Sequence, residues 1–231
     1  MGLNFDQLSG QTDSHLVLLD NEQHRLQADV ATAYQRMQND AAEDGVSLAI
    51  ASGFRSLERQ LSIWNRKWQG QLILRDHAGQ AMDIARLTGE EKLWAILHWS
   101  ALPGASRHHW GTDLDVYDPA PFTDSNRQLH LVPPEYTHAD GPCYTLWRWL
   151  KHHAGRYGFF FPYARYQNGV AEEPWHLSYQ PLSGPALEQL TVEKLAALIA
   201  QLDIEGQQTV LEHIKTIHQQ YVLNICRESA V

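Results

Sequence analysis

The chain has 231 residues, a formal net charge of −9 and only two cysteines, Cys143 and Cys226. This length fits one domain with an added element, or two small domains. The negative charge argues against broad binding to nucleic acid or to anionic membranes. Two cysteines exclude a disulfide-rich scaffold and a zinc site built from several cysteines.

The N-terminal residues lack a basic start followed by an apolar run, and no stretch is long and apolar enough to span a bilayer. The sequence therefore predicts a soluble protein without a membrane span. We expect it in the cytoplasm, or in the periplasm or outside the cell where a signal sequence has been removed from the chain.

The first part of the chain mixes helical and strand patterns. Apolar residues at helical spacing predict a helix over about 21–42, and alternation of apolar and small residues predicts a strand over 46–52. Ser56 suits the N-cap of a following helix, which we expect to end near Gly70. These elements precede the residues that carry the chemistry.

After residue 88 the pattern changes several times. The capping box of residues 88–91 begins a helix, and residues 114–117 have the pattern of a strand. The proline-containing stretch 118–140 is predicted to be a long ordered loop or lid, because loops of this length are often functional. Pro142 fits the first turn of a helix that continues to Gly155.

The last third predicts two strands and two helices. Residues 157–161 and 175–179 have strand patterns, and Asn168-Gly169 between them is a hairpin signal. Residues 181–185 break the pattern before two amphipathic helices. Because helices and strands do not alternate regularly, we predict an α+β domain with an antiparallel sheet flanked by helices and a C-terminal helical hairpin.

We divide the chain into a main domain, residues 1–184, and a C-terminal helical extension, residues 185–231. The extension carries two apolar stripes at helical spacing, one on each predicted helix. Such stripes have to be covered, so they indicate packing on the main domain or a surface for a homodimer.

Two distant stretches carry residues that can bind a metal. His108 precedes Asp115, with Gly111 allowing a sharp turn between them, and Glu173 lies three residues before His176. Zinc prefers nitrogen and carboxylate oxygen, and a catalytic zinc usually has three protein ligands and a water. We interpret His108, Asp115 and His176 as ligands of one zinc ion, with Glu173 taking a proton from water.

Spacing alone leaves alternatives open. Asp113 and Asp115 point to the same face of a strand, because side chains alternate with period two. His109 stands next to His108, so either histidine is a candidate ligand. The same residues are also compatible with separate surface or capping roles, which are common for single histidines and aspartates.

Three motifs together resemble the D-alanyl-D-alanine carboxypeptidase family, which includes VanY-type enzymes and VanX-type dipeptidases. They are Ser52-Gly53-Phe54-Arg55-Ser56 followed by Gln60, Ser106-x-His108-x-x-Gly111-x-x-x-Asp115, and Glu173-x-Trp175-His176. The motifs occur in the family's order and cover roughly residues 46–180. The sequence departs from the family at Asp113, where alanine is usual.

The resemblance implies a fold shared with the zinc domain of hedgehog proteins, and a peptidoglycan-derived peptide of D-Ala-D-Ala type as substrate. The implied residues are His108, Asp115 and His176 for zinc, Glu173 and Arg55 for catalysis, and Ser106 and Gln60 for substrate binding. Arg55 would stabilise the oxyanion or bind a substrate carboxylate. We expect Arg55 and an aromatic residue, Trp110 or Trp175, to line the pocket for the terminal D-Ala.

Three functions compete at this point. The first is a zinc-dependent D,D-carboxypeptidase, and the second is a non-catalytic, zinc-stabilised binding module of the same fold. Glu173 favours the enzyme, because a binding module has no need of a base beside the metal. The third is a hydrolase that uses Ser106 and His108, but Ser106 lacks the strand-to-helix turn that exposes such a nucleophile.

Overall fold

The structure is a computed structural model that describes residues 2–19, 24–76, 79–123 and 127–227. The strands are β1 (Val17–Leu18), β2 (Arg25–Leu26), β3 (Ala49–Ser52), β4 (Asp113–Tyr117), β5 (Phe159–Phe160) and β6 (His176–Tyr179). The helices are α1 (Phe5–Leu8), α2 (Ala28–Glu43), α3 (Leu57–Trp68), α4 (Gly89–Trp99), α5 (Ala120–Thr123), α6 (Pro133–Thr137), α7 (Tyr144–His153), α8 (Gln180–Gln189), α9 (Val192–Ile199) and α10 (Gln207–Ile217).

Four strands form an antiparallel sheet in the order β3-β4-β6-β5, while β1 and β2 form a separate two-stranded ribbon. The predicted α+β fold with an antiparallel sheet is confirmed. In the register of this sheet, Asp115 on β4 lies between Ser52 on β3 and His176 on β6. The sheet therefore brings residues from three distant parts of the sequence side by side.

The two faces of the sheet differ in chemistry. Leu114, Val116 and Leu177 face a hydrophobic core that includes residues of α2 and α7. Because side chains alternate along a strand, Asp115 and His176 point to the opposite face. The polar residues of the two motifs are thus held on one side by strands whose apolar residues are anchored on the other.

The predicted start of the first long helix is wrong. α2 begins at Ala28, because Arg25 and Leu26 pair with β1, and the backbone N–H of Gln27 donates to the Gly111 carbonyl oxygen at 3.0 Å. The predicted first residues 21–23 lie outside the described part of the chain. The next strand is also shorter than predicted, since pairing with β4 begins at Ala49.

Two helix starts that were predicted from capping residues are confirmed. Ser56 accepts a hydrogen bond from the backbone N–H of Arg59 at the start of α3. Thr88 and Glu91 form the capping box at the start of α4. Pro142, by contrast, lies before the N-cap of α7, which begins two residues later than predicted. The predicted loop 118–140 contains the short helices α5 and α6.

The hairpin and the break at residues 181–185 are not seen as predicted. Asn168 does have a positive φ of 62°, but residues 161–175 form a long connection, in which Glu173 N–H donates to the Tyr163 carbonyl oxygen at 3.0 Å. Residues 181–185 lie inside α8. Pro181 is in its first turn, where its missing N–H breaks no helical hydrogen bond.

The C-terminal helices α9 and α10 are present as predicted. Their apolar residues Leu195, Ile199 and Val210 share one hydrophobic core with Trp64 of α3 and Leu93 of α4. The division at residue 184 falls within α8 and stays a prediction. Within the described ranges, no helix has both the length and the apolar character needed to cross a membrane.

Candidate metal centre

Three side chains from separate elements meet on the polar face of the sheet. His108 lies in the 3₁₀ turn Arg107–Trp110, Asp115 lies in the middle of β4, and His176 begins β6. One possible ligand atom from each of the three lies within 4.8 Å of the others, and all three residues are buried. Two imidazoles and one carboxylate form the donor set that zinc takes in proteins.

Each of the two histidines is oriented by a contact that one of its ring nitrogens makes with the protein. His108 Nδ1 lies 2.9 Å from the Gly53 carbonyl oxygen, which directs Nε2 towards Asp115 Oδ2 at 3.4 Å. His176 Nε2 lies 3.0 Å from Asp113 Oδ1, which directs Nδ1 towards Asp115 Oδ1 at 3.2 Å. One nitrogen of each ring is thereby left for a metal, as is usual for metal-binding histidines.

The carboxylate of Asp115 provides a test of this donor set. Its Oδ1 atom is buried and has no hydrogen-bond partner, although it faces His176 Nδ1. Burial raises the pKa of Asp115, but His108 and His176 lower it more, so its net pKa is below its usual range. A buried, ionised oxygen with no hydrogen bond fits a position that a cation occupies.

Asp113 is engaged in a different set of contacts. It accepts hydrogen bonds from Arg107 Nε at 2.7 Å and Thr112 Oγ1 at 2.6 Å, and Arg107 Nη2 donates to Ser178 Oγ at 2.7 Å. Burial raises the pKa of Asp113, but the Arg107 guanidinium and His176 lower it below its usual range. Asp113 therefore orients His176, while Asp115 belongs to the three-residue cluster.

His109 has a structural role in this arrangement. Its Nδ1 lies 2.6 Å from the Arg55 carbonyl oxygen, and its Nε2 accepts a hydrogen bond from the backbone N–H of Gly104 at 3.2 Å. Burial lowers the pKa of His109 to about 3. A neutral imidazole with both nitrogens bonded to the backbone has no atom left for a metal, so His108 is the candidate ligand of this pair.

The cluster opens into a cavity of about 590 Å³. Glu173 lies at its wall with Oε2 3.3 Å from His176 Nδ1, which places a carboxylate beside the candidate metal ligands. Ser106 and Trp175 also line the cavity. The predicted lining by Trp110 is wrong, because this indole is fully buried in the core and donates to the Leu8 carbonyl oxygen.

Arg55 also lines the cavity. Its Nη1 donates to Gln60 Oε1 at 2.9 Å and its Nη2 to Ser52 Oγ at 3.2 Å. In the described part of the chain no carboxylate lies within ion-pair distance of Arg55. An arginine held only by neutral groups can bind an anion in the cavity.

The position of Gln60 differs from the expectation that this residue contacts substrate. It is fully buried and is not part of the cavity wall. Its Oε1 accepts from Arg55 and its Nε2 donates to the Ala101 carbonyl oxygen at 2.7 Å, so both ends of the amide are used inside the protein. The structure assigns Gln60 to holding Arg55 in place.

Two features of the site were missed by sequence reasoning. Tyr163 stacks edge-on against the His176 ring, with centroids 5.1 Å apart, but it lies in a segment without a motif. Arg107 was overlooked although it stands inside the second motif. The unusual Asp113 was a usable signal, because a buried carboxylate requires a cation nearby.

Comparison with known proteins places the chain in a family. A model of the family described as VanY, D-alanyl-D-alanine carboxypeptidase, matches residues 23–182, which contain all three motifs. The chain belongs to the VanY family. A Haemophilus influenzae protein of uncharacterised function is 42% identical over 105 residues, which cover 44% of this chain and 72% of that relative.

Solved structures agree with this assignment. VanYB in complex with D-alanine-D-alanine is similar with a TM-score of 0.52 and 25% identity, covering 81% of this chain and 90% of that chain. A mutant of the vancomycin-resistance D,D-pentapeptidase VanY in complex with Zn(II) has a TM-score of 0.50 and 22% identity, covering 91% and 86% of the two chains. The VanY fold therefore extends over most of this chain.

Proposed function

We propose that this VanY family member is a zinc-dependent D,D-carboxypeptidase, which removes the terminal D-Ala from peptidoglycan-derived peptides that end in D-Ala-D-Ala. The observation that carries this proposal is the position of Glu173 beside His176 Nδ1, in a cavity that also contains Arg55. The family match and the D-alanine-D-alanine complex of VanYB support the substrate class.

His108, Asp115 and His176 are the proposed zinc ligands, and the Zn(II) complex of the related VanY supports the choice of metal. Zinc, when bound, would lower the pKa of a water molecule and polarise the scissile carbonyl. Glu173 accepts a proton from the attacking water and delivers it to the leaving amine as the peptide C–N bond breaks. Arg55 stabilises the negative oxygen that develops on the carbonyl carbon.

The two competing functions find less support in these contacts. A zinc-stabilised binding module does not require Glu173 at the cavity wall or an arginine without an acidic partner. A hydrolase based on Ser106 and His108 requires a free nitrogen on His108. Both nitrogens are directed elsewhere, Nδ1 to the Gly53 carbonyl oxygen and Nε2 to Asp115.

Glu173→Gln tests the proposal, because it keeps the size of the side chain and removes its basicity. The variant should keep its fold and its zinc, while D-Ala release should fall by roughly 10²–10⁴-fold. The measurement pairs zinc content with D-Ala release from a peptide ending in D-Ala-D-Ala. The matched all-L peptide is the control substrate and should survive with the wild type.

Two outcomes would contradict this proposal. Near-normal D-Ala release by zinc-loaded Glu173→Gln protein would remove Glu173 from the mechanism. A wild-type protein that holds zinc but releases no D-Ala would favour the binding module.

A further inference from the structure

Two further cationic side chains, Lys67 and Arg75, line the cavity that contains Arg55. The Gln60 amide that holds Arg55 donates to the Ala101 carbonyl oxygen, and Lys67 Nζ donates to the neighbouring residue Ser100. Arg55 and Lys67 therefore lie at the same part of the cavity wall. The methyl side chain of a terminal D-Ala bound near Arg55 offers no group that could pair with Lys67.

Lys67 is a cation without an acidic partner. Its Nζ donates to the hydroxyl of Ser100 at 2.5 Å, and no carboxylate of the described residues lies within ion-pair distance. Burial lowers the pKa of Lys67 to about 8, with Glu173 opposing this shift and Arg55 and Arg75 adding to it. At neutral pH the ammonium group remains mostly charged and faces the cavity.

The segment that follows α3 forms part of the same cavity wall as Lys67. Trp99, next to Ser100, donates from its indole Nε1 to the Asp76 carbonyl oxygen at 3.1 Å. Leu74 in this segment is buried and also lines the cavity. Because Lys67 lies beside the residues that hold Arg55, its ammonium group is in the part of the cavity where we expect the terminal residue.

We propose that Lys67 and Ser100, with Arg75 nearby, form a second anion-binding subsite that takes a carboxylate on the side chain of the leaving residue. This inference rests on the proposed function and narrows its substrate class. Arg55 acts on the carbonyl oxygen of the scissile bond, so the leaving residue lies beside it, and an acidic side chain on that residue is directed to Lys67. A terminal residue with a second carboxylate thus binds better than its neutral analogue.

The test uses three peptides that differ only in the terminal residue, which is D-Ala, D-Glu or D-Gln. D-Glu and D-Gln have the same shape, so their ratio isolates the charge. With the wild type, we expect kcat/KM for D-Glu to exceed that for D-Gln by about tenfold, mainly through KM, as for a hydrogen bond to a charged group. Lys67→Gln should abolish this preference and Lys67→Arg should retain it.

Arg66→Gln is the matched control, because Arg66 is exposed on the same helix and does not line the cavity. Its D-Glu preference should equal that of the wild type. The proposal is overturned if the wild type shows no preference for D-Glu, or if Lys67→Gln keeps the wild-type preference.

Failure of the proposed function would be recognised separately. A wild-type protein that releases no terminal residue from any of the three peptides would refute the carboxypeptidase. The subsite is then tested by calorimetric binding of free D-glutamate and D-glutamine to the zinc-loaded protein. Tighter binding of D-glutamate that disappears in Lys67→Gln would support the subsite, and equal binding would refute it.

Discussion

His176 lies between two aspartates of the same strand, and each contacts a different ring nitrogen. Asp113 is bound to Nε2 and Asp115 faces Nδ1. The charge of Asp113 is balanced by Arg107, and this pair is almost completely shielded from water. Removing one partner of a buried ion pair leaves an uncompensated charge, so the two aspartates differ in what their loss does to the protein.

Asp115→Ala and Asp113→Ala should therefore have different effects on zinc. We expect Asp115→Ala to lose most of the bound zinc, because it removes a proposed ligand. Asp113→Ala should still bind zinc, but roughly 10–100-fold more weakly, because His176 loses the contact that orients it. Competition with a chelator measures both affinities. If Asp113→Ala strips the metal and Asp115→Ala does not, the ligand assignment is wrong by one repeat of the strand.

One turn connects the 3₁₀ helix that holds His108 to the strand that holds Asp115. Gly111 ends the 3₁₀ helix with φ +68°, a conformation that is unfavourable for residues with a side chain. A Cβ atom at this position would lie 2.3 Å from Leu16 Cδ2. The turn is therefore both left-handed and closely packed.

Gly111→Ala should destabilise the protein by more than the roughly 1–2 kcal/mol expected for a left-handed alanine alone. Gly45→Ala is the matched control, because Gly45 has φ +75° and no atom within 4 Å of its Cβ position. Chemical denaturation gives the free energy of unfolding of both variants. Equal losses would show that contact with Leu16 does not contribute.

The C-terminal helices α9 and α10 complete the hydrophobic core that contains Trp64 and Leu93. The Trp64 indole donates to the Glu205 carbonyl oxygen at 3.1 Å, and Asn65 Nδ2 donates to the Asp203 carbonyl oxygen at 2.9 Å. The two donors, Trp64 and Asn65, are on α3, which begins two residues after Arg55. A homodimer through α9 and α10 stays a prediction, and it would have to use their outer faces because their apolar stripes are buried within the chain.

A chain that ends at Gly184 should not fold cooperatively, because Trp64, Leu93 and Leu97 lose the apolar residues that cover them. Urea unfolding followed by circular dichroism, together with zinc content, checks this expectation against the full chain. A shortened chain that unfolds in one cooperative transition and keeps its zinc would show that residues 185–231 are a separable extension.

Local signals in the sequence were enough for several parts of this protein. The capping residues Ser56 and Thr88 place helix starts correctly, because a cap contacts only the backbone of the next turn. The mixed composition of helices and strands predicts the α+β class. The motifs of the family resemblance also contain the candidate ligands that the fold brings together.

The choice between neighbouring residues was decided only by tertiary structure. Asp113 and Asp115 share a face of β4 and both contact His176, and they are distinguished by Arg107, which pairs with Asp113, and by His108, which faces Asp115. His109 is separated from His108 by backbone groups of Arg55 and Gly104. A sequence states which donors and acceptors are available, but their partners depend on long-range packing, and packing therefore determines which residues remain free for a metal or a substrate.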